Sequence, residues 1–529
     1  MEEDLKKEYL DAKLISSQSV TKECTDISTR FEPNCPAMIQ PTPFTLKEAF
    51  KELSFDSFPT FVFYLSNMLI WTFNLYYAGL RGDASLTSAV GLTNTWMGAT
   101  TFYIILGLNI GTTALCSQAI GAGETRVAGI MFHRALIMRL LIALVLYPLQ
   151  FFAYHIFMLF GVEDTVAQEA GLFCRFQLGV VLLIIIYDTL KSLLMANGTY
   201  TPFIFIQIAG IAVHWGVLWV FVVQLDMGIL GFCAAMTCTH LALVILLIGY
   251  IIIRKPCPEL LFFPKKDSYR ELFKQLKEEL PIGGILYLDF AAEQMSVMLS
   301  GVYPQEQLAA QILNYNVLSM MTLIPLGLNS TLTTYIGHAI GESDLIKLRR
   351  FIESGLIISL LLIIVEAPAL YFFCDDVAMI FSDDTQVLAI TRTLLKMYAI
   401  ATIADFTQLV MSSILRGVGK EHIACFIFVI GNYVIGLPTG FVLGTLYEKY
   451  TVGMFTGIIV GMTFNAVATT IALVTVNLKR QSERISIKIE KKMRLGILAS
   501  SFASAKSIQS LKNSRKTSKN SYENIEYNI

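Results

Sequence analysis

Two stretches of this chain, YIILGLNIGTTALCSQAIGAGE at residues 103–124 and LIPLGLNSTLTTYIGHAIGESD at residues 323–344, repeat one pattern of glycines and small residues. Gly107-Leu108-Asn109 in the first stretch becomes Gly327-Leu328-Asn329 in the second, about 220 residues later. The same offset relates further pairs, namely Ala119-Ile120-Gly121 and Ala339-Ile340-Gly341, Pro59 and Pro281, Gly79 and Gly301, and Gly210 and Gly431. A constant offset over this length indicates an internal duplication.

The composition indicates that both copies lie in a membrane. Of the 529 residues, 54% are hydrophobic and 15% charged, with a mean hydropathy of +0.59. Twelve segments are long and apolar enough to span a bilayer: 57–79, 88–116, 131–160, 165–190, 202–224, 228–253, 280–301, 308–336, 351–373, 386–414, 421–446 and 452–478. Six fall in each copy, so we predict an all-α membrane protein of two six-helix lobes related by a pseudo-two-fold axis along the membrane normal.

Charge placement predicts the orientation. Basic residues concentrate in the region that joins the copies and after the eighth and twelfth spans, whereas the alternate loops are acidic. The positive-inside rule then places both termini in the cytoplasm of a multi-pass protein of the plasma membrane or an endomembrane. The expected parts are a polar N-terminal segment (1–50), an N-lobe (51–253), a cytoplasmic linker (254–279), a C-lobe (280–478) and a basic, Ser-rich tail (479–529).

Two polar regions contain amphipathic patterns. Within the linker, KDSYRELFKQLKEEL at residues 266–280 predicts a short surface helix. In the tail, RQSERISIKIEKKMRLGIL at residues 480–498 is basic and amphipathic, which suits either the anionic inner leaflet or a solvated tail.

The seventh span, in YLDFAAEQMSVMLSG, carries the clearest candidate site. Asp289 and Glu293 lie four residues apart and so share one helix face. Ionisable groups at membrane depth are costly, so they are functional by default. One of two neighbouring carboxylates in apolar surroundings can gain and lose a proton, or both can coordinate sodium. The alternative is that both pair with Lys or Arg on a neighbouring helix.

The duplication places the titratable centre in the C-lobe. Asp289 aligns with Asn67 and Glu293 with Trp71, so the first copy has no acidic group at these positions. Asp405 on the tenth span is the third ion-coupling candidate, with a helix-to-helix hydrogen bond as the alternative interpretation.

Aromatic and amide side chains near these carboxylates predict the class of substrate. An aromatic wall beside acidic groups suits an amphipathic organic cation, through apolar burial and cation–π contact. Ordinary packing is the alternative for each aromatic residue. The side chains expected to line the cavity are Asn67, Trp71, Tyr76, Trp96, Gln294 and Gln408.

Residues 50–478 resemble the multidrug and toxic compound extrusion (MATE) family. The resemblance rests on SQAIGAGE and GHAIGESD, on YLDFAAEQMSVMLSG, and on DFTQLVMSSILRGVGKEHI followed by NYVIGLP. It implies a V-shaped pair of six-helix lobes and export of organic, often cationic, compounds in exchange for protons or sodium.

The resemblance also implies roles for individual residues. Asp289 matches the family's first acidic residue of the seventh helix, and Asp405 matches the acidic residue of the tenth. Three positions depart from the pattern: Gln294 stands at the second acidic position, Phe290-Ala291 replaces an aromatic pair, and Ser413 replaces a glycine.

We therefore expect an antiporter that works by alternating access, as a monomer in the lipid bilayer, on a small-molecule organic substrate. No enzyme activity, cofactor, metal or nucleic-acid partner is expected, and the length and tails favour protons over sodium as the coupling ion. The alternatives are a lipid-linked flippase, an exporter of anionic metabolites and a membrane-embedded enzyme. A flippase should bring several arginines to its cavity, yet only Arg139 and Arg175 are candidates.

Overall fold

The computed structural model describes residues 44–491 except 82–83, 257, 261, 263, 265 and 380–383, and this part of the chain is helical. The N-lobe comprises α1 (Leu46–Leu80), α2 (Ser85–Gly121), α3 (Thr125–Phe151), α4 (Asp164–Ala196), α5 (Pro202–Gln224) and α6 (Ile229–Arg254). The C-lobe comprises α7 (Leu272–Leu299), α8 (Gln305–Met321 and Leu323–Gly341), α9 (Leu345–Phe372), α10 (Thr385–Gly417), α11 (Glu421–Leu446) and α12 (Tyr450–Thr475). A further helix, α13, spans 478–491.

The predicted fold, twelve long helices with six in each lobe, is confirmed. Among the described residues, nine of these helices are long and apolar enough to cross a membrane, or ten with the bent pair that forms α8. The other two, α1 and α7, are the first helices of the two lobes and carry polar side chains such as Asn67 and Asp289.

Local sequence signals set several helix starts. Thr45 and Glu48 form a capping box at the start of α1, because each side chain bonds the other's backbone N–H. Asp344 and Asp384 cap α9 and α10, where their carboxylates accept backbone N–H groups of the first turn. The last helical turns of α4 and α10 are followed by Gly198 and Gly419, with φ of +76° and +72°, a conformation that favours glycine.

The duplication extends to helix irregularities. In α2, Gly98–Phe102 is π-helical, and at the matching place α8 bends by 42° between Met321 and Leu323. Each of these two helices is therefore divided into a first and a second segment. In both helices the second segment packs against the opposite lobe, α2 along α7 and α8 along α1, while the first segment packs mainly within its own lobe.

Glycines allow the lobes to approach closely at the ends of the helices nearest the linker. A Cβ on Gly107 of α2 would lie 2.5 Å from the Gly283 carbonyl oxygen of α7. At the matching place, a Cβ on Gly327 of α8 would lie 2.9 Å from the backbone nitrogen of Phe61 in α1. Neither contact leaves room for a side chain, so the linker side of the interface is closed.

Hydrogen bonds across the interface follow the same symmetry. The Gln118 side chain donates to the carbonyl of Gly417 at the end of α10, with a nitrogen–oxygen distance of 3.0 Å. The matching residue, His338, bonds the carbonyl of Ala196 at the end of α4 through Nε2, at 2.5 Å. Each lobe thereby binds free carbonyls at a helix end of the other lobe.

The structure corrects the expectation for the linker and shows a packing contact in the tail. The linker does not contain a separate surface helix over 266–280, because α7 already begins at Leu272 and buries Gln275 and Glu279. In the tail, α13 buries Ile485 and Ile489 against the C-lobe rather than leaving them to solvent or lipid. The segments 1–43 and 492–529 lie outside the described residues.

Candidate functional site

The two carboxylates of α7 lie in the C-lobe at the wall that faces the N-lobe. Asp289 and Glu293 are both partly exposed, whereas the neighbouring Ala292 is buried. The Oδ1 atom of Asp289 accepts a hydrogen bond from Nδ2 of Asn432 on α11, at 3.0 Å. Asp289 is thus connected to a second helix of its lobe.

Three amide side chains continue this connection across the C-lobe. Nδ2 of Asn465 on α12 donates to Oδ1 of Asn432 at 2.8 Å and to Oε1 of Gln408 on α10 at 3.1 Å. Asn465 and Gln408 are fully buried, and Asn432 is 6% exposed. We call Asn432, Asn465 and Gln408 the amide relay.

The amide relay ends at the carboxylate of α10. Nε2 of Gln408 donates to Oδ1 of Asp405 at 3.1 Å, and the hydroxyl of Tyr398 donates to Oδ2 at 3.0 Å. Asp289 and Asp405 are therefore linked by a continuous chain of hydrogen bonds through three helices. Buried polar networks of this kind are costly unless their members are paired, so these hydrogen bonds favour one arrangement of the helices.

Close packing of α11 on α12 makes the amide relay possible. The Val429–Gly436 segment of α11 is π-helical, and a Cβ on Gly431 would overlap the side-chain oxygen of Asn465. A Cβ on Gly461 would lie 2.7 Å from the Gly431 carbonyl. The glycines bring the two backbones close enough for Asn465 to reach Asn432.

Glu293 lies beside an aromatic contact that joins the lobes. Tyr103 of α2 stacks on Phe290 of α7, with ring centroids 4.6 Å apart and planes 12° apart. The hydroxyl-bearing rings of Tyr103 and of Tyr315 on α8 both lie near Glu293. Gln294, the next residue on α7, lies near Tyr315 as well.

Within 44–491, apart from the few positions left undescribed, these carboxylates have no cationic partner in ion-pair contact. Among the residues that the structure describes, none of Asp289, Glu293 and Asp405 forms a salt bridge. Arg416 attracts Asp289 electrostatically, but its guanidinium bonds the side chain of Asn329. The alternative that the α7 carboxylates pair with a neighbouring Lys or Arg therefore finds no support.

Residues outside the predicted set also belong to this site. The hydrogen-bond chain is completed by Asn432, Asn465 and Tyr398. An amide within an apolar span is the sequence signal that could have identified the two asparagines. Glu366 on α9 interacts electrostatically with Asp405, and both of its carboxylate oxygens are buried without a hydrogen-bond partner. Its burial, which the sequence pattern did not indicate, results from packing of α9 on α10.

The N-lobe candidates are more dispersed. Asn67 donates to the carbonyl of Phe63 on its own helix at 2.9 Å, as a structural amide does. Trp71 packs edge-on against Phe102, with ring centroids 6.2 Å apart. Trp71 and Phe102, together with Tyr103, form an aromatic wall on the N-lobe side.

Two predicted cavity residues have packing roles instead. Trp96 packs edge-on against Phe157 within an apolar cluster of α2, α4 and the short helix Ala153–Leu159. Tyr76 is half-exposed and stacks on Trp215 of α5. The structure therefore does not join these two side chains to the carboxylate cluster, and ordinary packing accounts for their contacts.

Comparison with known proteins agrees with the duplicated architecture. A family model described as MatE matches residues 59–220 and 282–442, which cover the first five helices of each lobe. Protein DETOXIFICATION 16 of Arabidopsis thaliana is 22% identical over 448 residues, covering 84% of this chain and 92% of that protein. Multidrug and toxin extrusion protein 1 of Homo sapiens is 23% identical over 435 residues, covering 82% and 76%.

Solved structures share the fold. The crystal structure of the eukaryotic MATE transporter AtDTX14 superposes with a TM-score of 0.80 at 19% identity, covering 84% of this chain and 99% of that one. The Vibrio cholerae MATE transporter VcmN in its bent form superposes with a TM-score of 0.70 at 21% identity, covering 84% and 99%. At these identities the likeness establishes the fold and not the substrate.

Proposed function

This chain belongs to the MATE family of secondary active efflux transporters, and from that membership we propose that it exports organic cations in exchange for protons. It is an integral multi-pass membrane protein that handles small organic substrates and is not an enzyme. The observation that carries the finer proposal is the chain of hydrogen bonds from Asp289 through the amide relay to Asp405, with no basic residue of the described part of the chain in ion-pair contact.

The charge of the site supports a cationic substrate. Asp289 and Glu293 are partly exposed, and the stacked rings of Phe290 and Tyr103 lie beside Glu293. Carboxylates and aromatic faces both attract an organic cation, and both disfavour an anion. This favours the cation over the anionic-metabolite alternative.

The hydrogen-bond pattern supports the proton as the coupling ion. Both oxygens of Asp405 already accept from neutral donors, the Gln408 amide and the Tyr398 hydroxyl. A sodium ion needs several oxygen atoms directed at one point, whereas a proton needs one accessible oxygen. Asp289 is partly exposed and would serve as the site of proton exchange.

In the proposed cycle, protonation of Asp289 or Glu293 from the side opposite the linker removes the charge that holds the substrate. The substrate leaves, the lobes reorient, and release of the proton on the linker side restores the affinity for the next cation. The proton drives this cycle because it binds the two conformations with different affinity. The amide relay transmits the change to Asp405 because Asn432 loses its charged acceptor.

The lipid-linked flippase is less well supported. Arg139 is buried in an ion pair with Glu279, and Arg175 donates to the Phe151 carbonyl at 3.1 Å. Two arginines held in this way do not offer a phosphate site. We further propose a monomer with both termini in the cytoplasm, in the plasma membrane or an endomembrane.

Efflux of ethidium from proteoliposomes, with a proton gradient and a sodium gradient imposed separately, tests this proposal. We expect the proton gradient alone to drive efflux, and D289N to abolish it while the protein remains folded in the membrane. Efflux driven by sodium alone would contradict proton coupling. Efflux that persists in D289N would contradict the role of Asp289.

A further inference from the structure

One contact breaks the symmetry of the closed interface. Nη2 of Arg139 on α3 lies 3.7 Å from Oε2 of Glu279 on α7, and the two side chains are 1% and 2% exposed. By the offset of the duplication, Arg139 matches Ser359 and Glu279 matches Ser57. The closed linker side therefore contains an ion pair between the lobes on one side of the pseudo-two-fold axis and neutral serines at the two matching positions on the other.

The ion pair is held by groups from both lobes. Nη2 of Arg139 also donates to the carbonyl of Leu108 and to the Thr112 hydroxyl, both in the N-lobe. Oε1 of Glu279 accepts from the Thr112 hydroxyl at 2.9 Å and from the Gln275 amide of its own helix at 2.8 Å. When the lobes separate on this side, Glu279 keeps Gln275 and loses both N-lobe partners.

This ion pair is better suited to break and re-form than to stabilise the fold. Nε and Nη1 of Arg139 are buried without hydrogen-bond partners. Burial of two charges with incomplete hydrogen bonding contributes little net stability. A pair of this kind is better explained by a second state in which the partners are separated and hydrated.

Glu279 lies on the same stripe of α7 as the candidate site. The residues of this stripe, spaced by three or four positions, are Glu279, Ile282, Leu286, Asp289 and Glu293. Ten residues of helix separate Glu279 from Asp289, a rise of about 15 Å. When the linker side opens, this stripe becomes one wall of the path from the linker side to Asp289.

We propose that Glu279 is a second binding site for the organic cation, on the linker side, which the Arg139 guanidinium occupies whenever the lobes are closed there. This inference rests on the proposed function and adds a recruitment step to it. A cation arriving from the linker side binds Glu279 before it moves to Asp289. Once Glu279 is vacant, Arg139 returns to it and the interface closes.

Everted membrane vesicles test the proposal, because they present the cytoplasmic side to the medium. The measurement is the KM for ethidium uptake under a proton gradient, with vesicles that lack the protein subtracted. R139Q removes the competing guanidinium and the inter-lobe pair together. In that background, E279Q changes only the proposed site, so the double variant is compared with R139Q alone.

We expect the KM of R139Q/E279Q to exceed that of R139Q by about fivefold, the ratio that one partly hydrated charge–charge contact confers. The matched control is R139Q/E278Q, since Glu278 lies on the same turn but pairs with Lys488 of α13, 3.4 Å away; its KM should equal that of R139Q. Equal KM values for R139Q/E279Q and R139Q would show that the ion pair only holds the lobes together and would overturn the proposal.

If R139Q is not recovered in the membrane, E279D and E279Q decide the question in the native background. Both weaken the contact with Arg139, but only E279Q loses the charge, so its KM should again be about fivefold higher. Equal values would overturn the proposal. Absence of ethidium uptake by the unmodified protein would contradict the proposed function itself, which separates the two failures.

Discussion

At the scale of single residues, neutral amide side chains connect the carboxylates of the candidate site. Asn465 donates to both Asn432 and Gln408, and so it connects the acidic residues of α7 and α10. Asp289 and Asp405 were identified from the sequence because a carboxylate within an apolar span is unusual. The asparagine that connects them has no such distinguishing charge.

Asn465→Ala tests the amide relay. Removal of this side chain leaves the oxygens of Asn432 and Gln408 without donors, at about 1–3 kcal/mol for each buried unsatisfied group. We expect proton-driven ethidium efflux to fall at least about tenfold. A loss of about 1.4 kcal/mol in the stability of the transport-competent arrangement, relative to other folded arrangements, changes the rate tenfold. The measurement is the initial rate of efflux from proteoliposomes, normalised to folded protein.

Thr463→Ala is the control, because Thr463 lies on the same helix, is exposed, and bonds only the carbonyl of Ile459 in its own helix. Its efflux rate should remain close to that of the unmodified protein. An Asn465→Ala rate equal to this control would mean that the amide relay has only a structural role.

At the scale of helices, α13 is joined to the C-lobe by specific contacts. Ser482 donates to the carbonyl of Ile340 at the end of α8, and Gln481 donates to the carbonyl of Gly419 between α10 and α11. Ile485 and Ile489 are buried on the same side of the helix. The basic tail pattern is therefore also a pattern of attachment, since the spacing of 481, 482, 485 and 489 follows one helix face.

Ile485→Asp tests the attachment of α13. Ile485 is 5% exposed, and burial of a side chain of this size contributes about 2 kcal/mol, which a carboxylate cannot replace. We expect amide hydrogen exchange over 478–491 to become faster, with unchanged exchange in α12. Ile487→Asp is the control, since Ile487 is 65% exposed and should leave exchange unaltered. Equal exchange in both variants would contradict the docking of α13.

At the scale of the whole molecule, the lobes touch where glycines allow the helices to meet. Gly107 opposes Gly283, and Gly327 opposes Phe61, at positions related by the duplication. In the proposed alternating-access cycle these contacts must form and separate each time, so their closeness would determine how completely the linker side can close.

Gly107→Ala tests this requirement. The added Cβ would lie 2.5 Å from the Gly283 carbonyl oxygen, so the lobes must move apart. Overpacking costs about 1–3 kcal/mol, and the ratio of closed to open protein should fall by roughly five- to 150-fold. Spin labels at the exposed positions Arg126 and Arg349 should report longer distances by double electron–electron resonance. The Gly107→Ala variant should also lose efflux activity.

Gly179→Ala serves as the matched variant, because a Cβ at Gly179 meets nothing within 4 Å. Its label distances and efflux should stay unchanged. Unaltered distances in Gly107→Ala would show that the interface can absorb a methyl group and that its closeness is not essential.

The sequence by itself determined the helical fold, the duplication, and the positions of Asp289, Glu293 and Asp405. Apolar length, a constant offset and the cost of a membrane-embedded charge are properties that can be read along the chain. The same reasoning placed Trp96 and Tyr76 at the cavity without knowledge of where their rings pack.

Only the tertiary structure decided which side chains meet. The amide relay draws on α10, α11 and α12, and the pair of Arg139 with Glu279 joins residues 140 positions apart in different lobes. The sequence offered Arg139 only as a candidate cavity arginine and assigned Glu279 to a surface linker. Helix packing overruled the linker assignment of Glu279, because a partner across an interface leaves no periodic pattern in the chain.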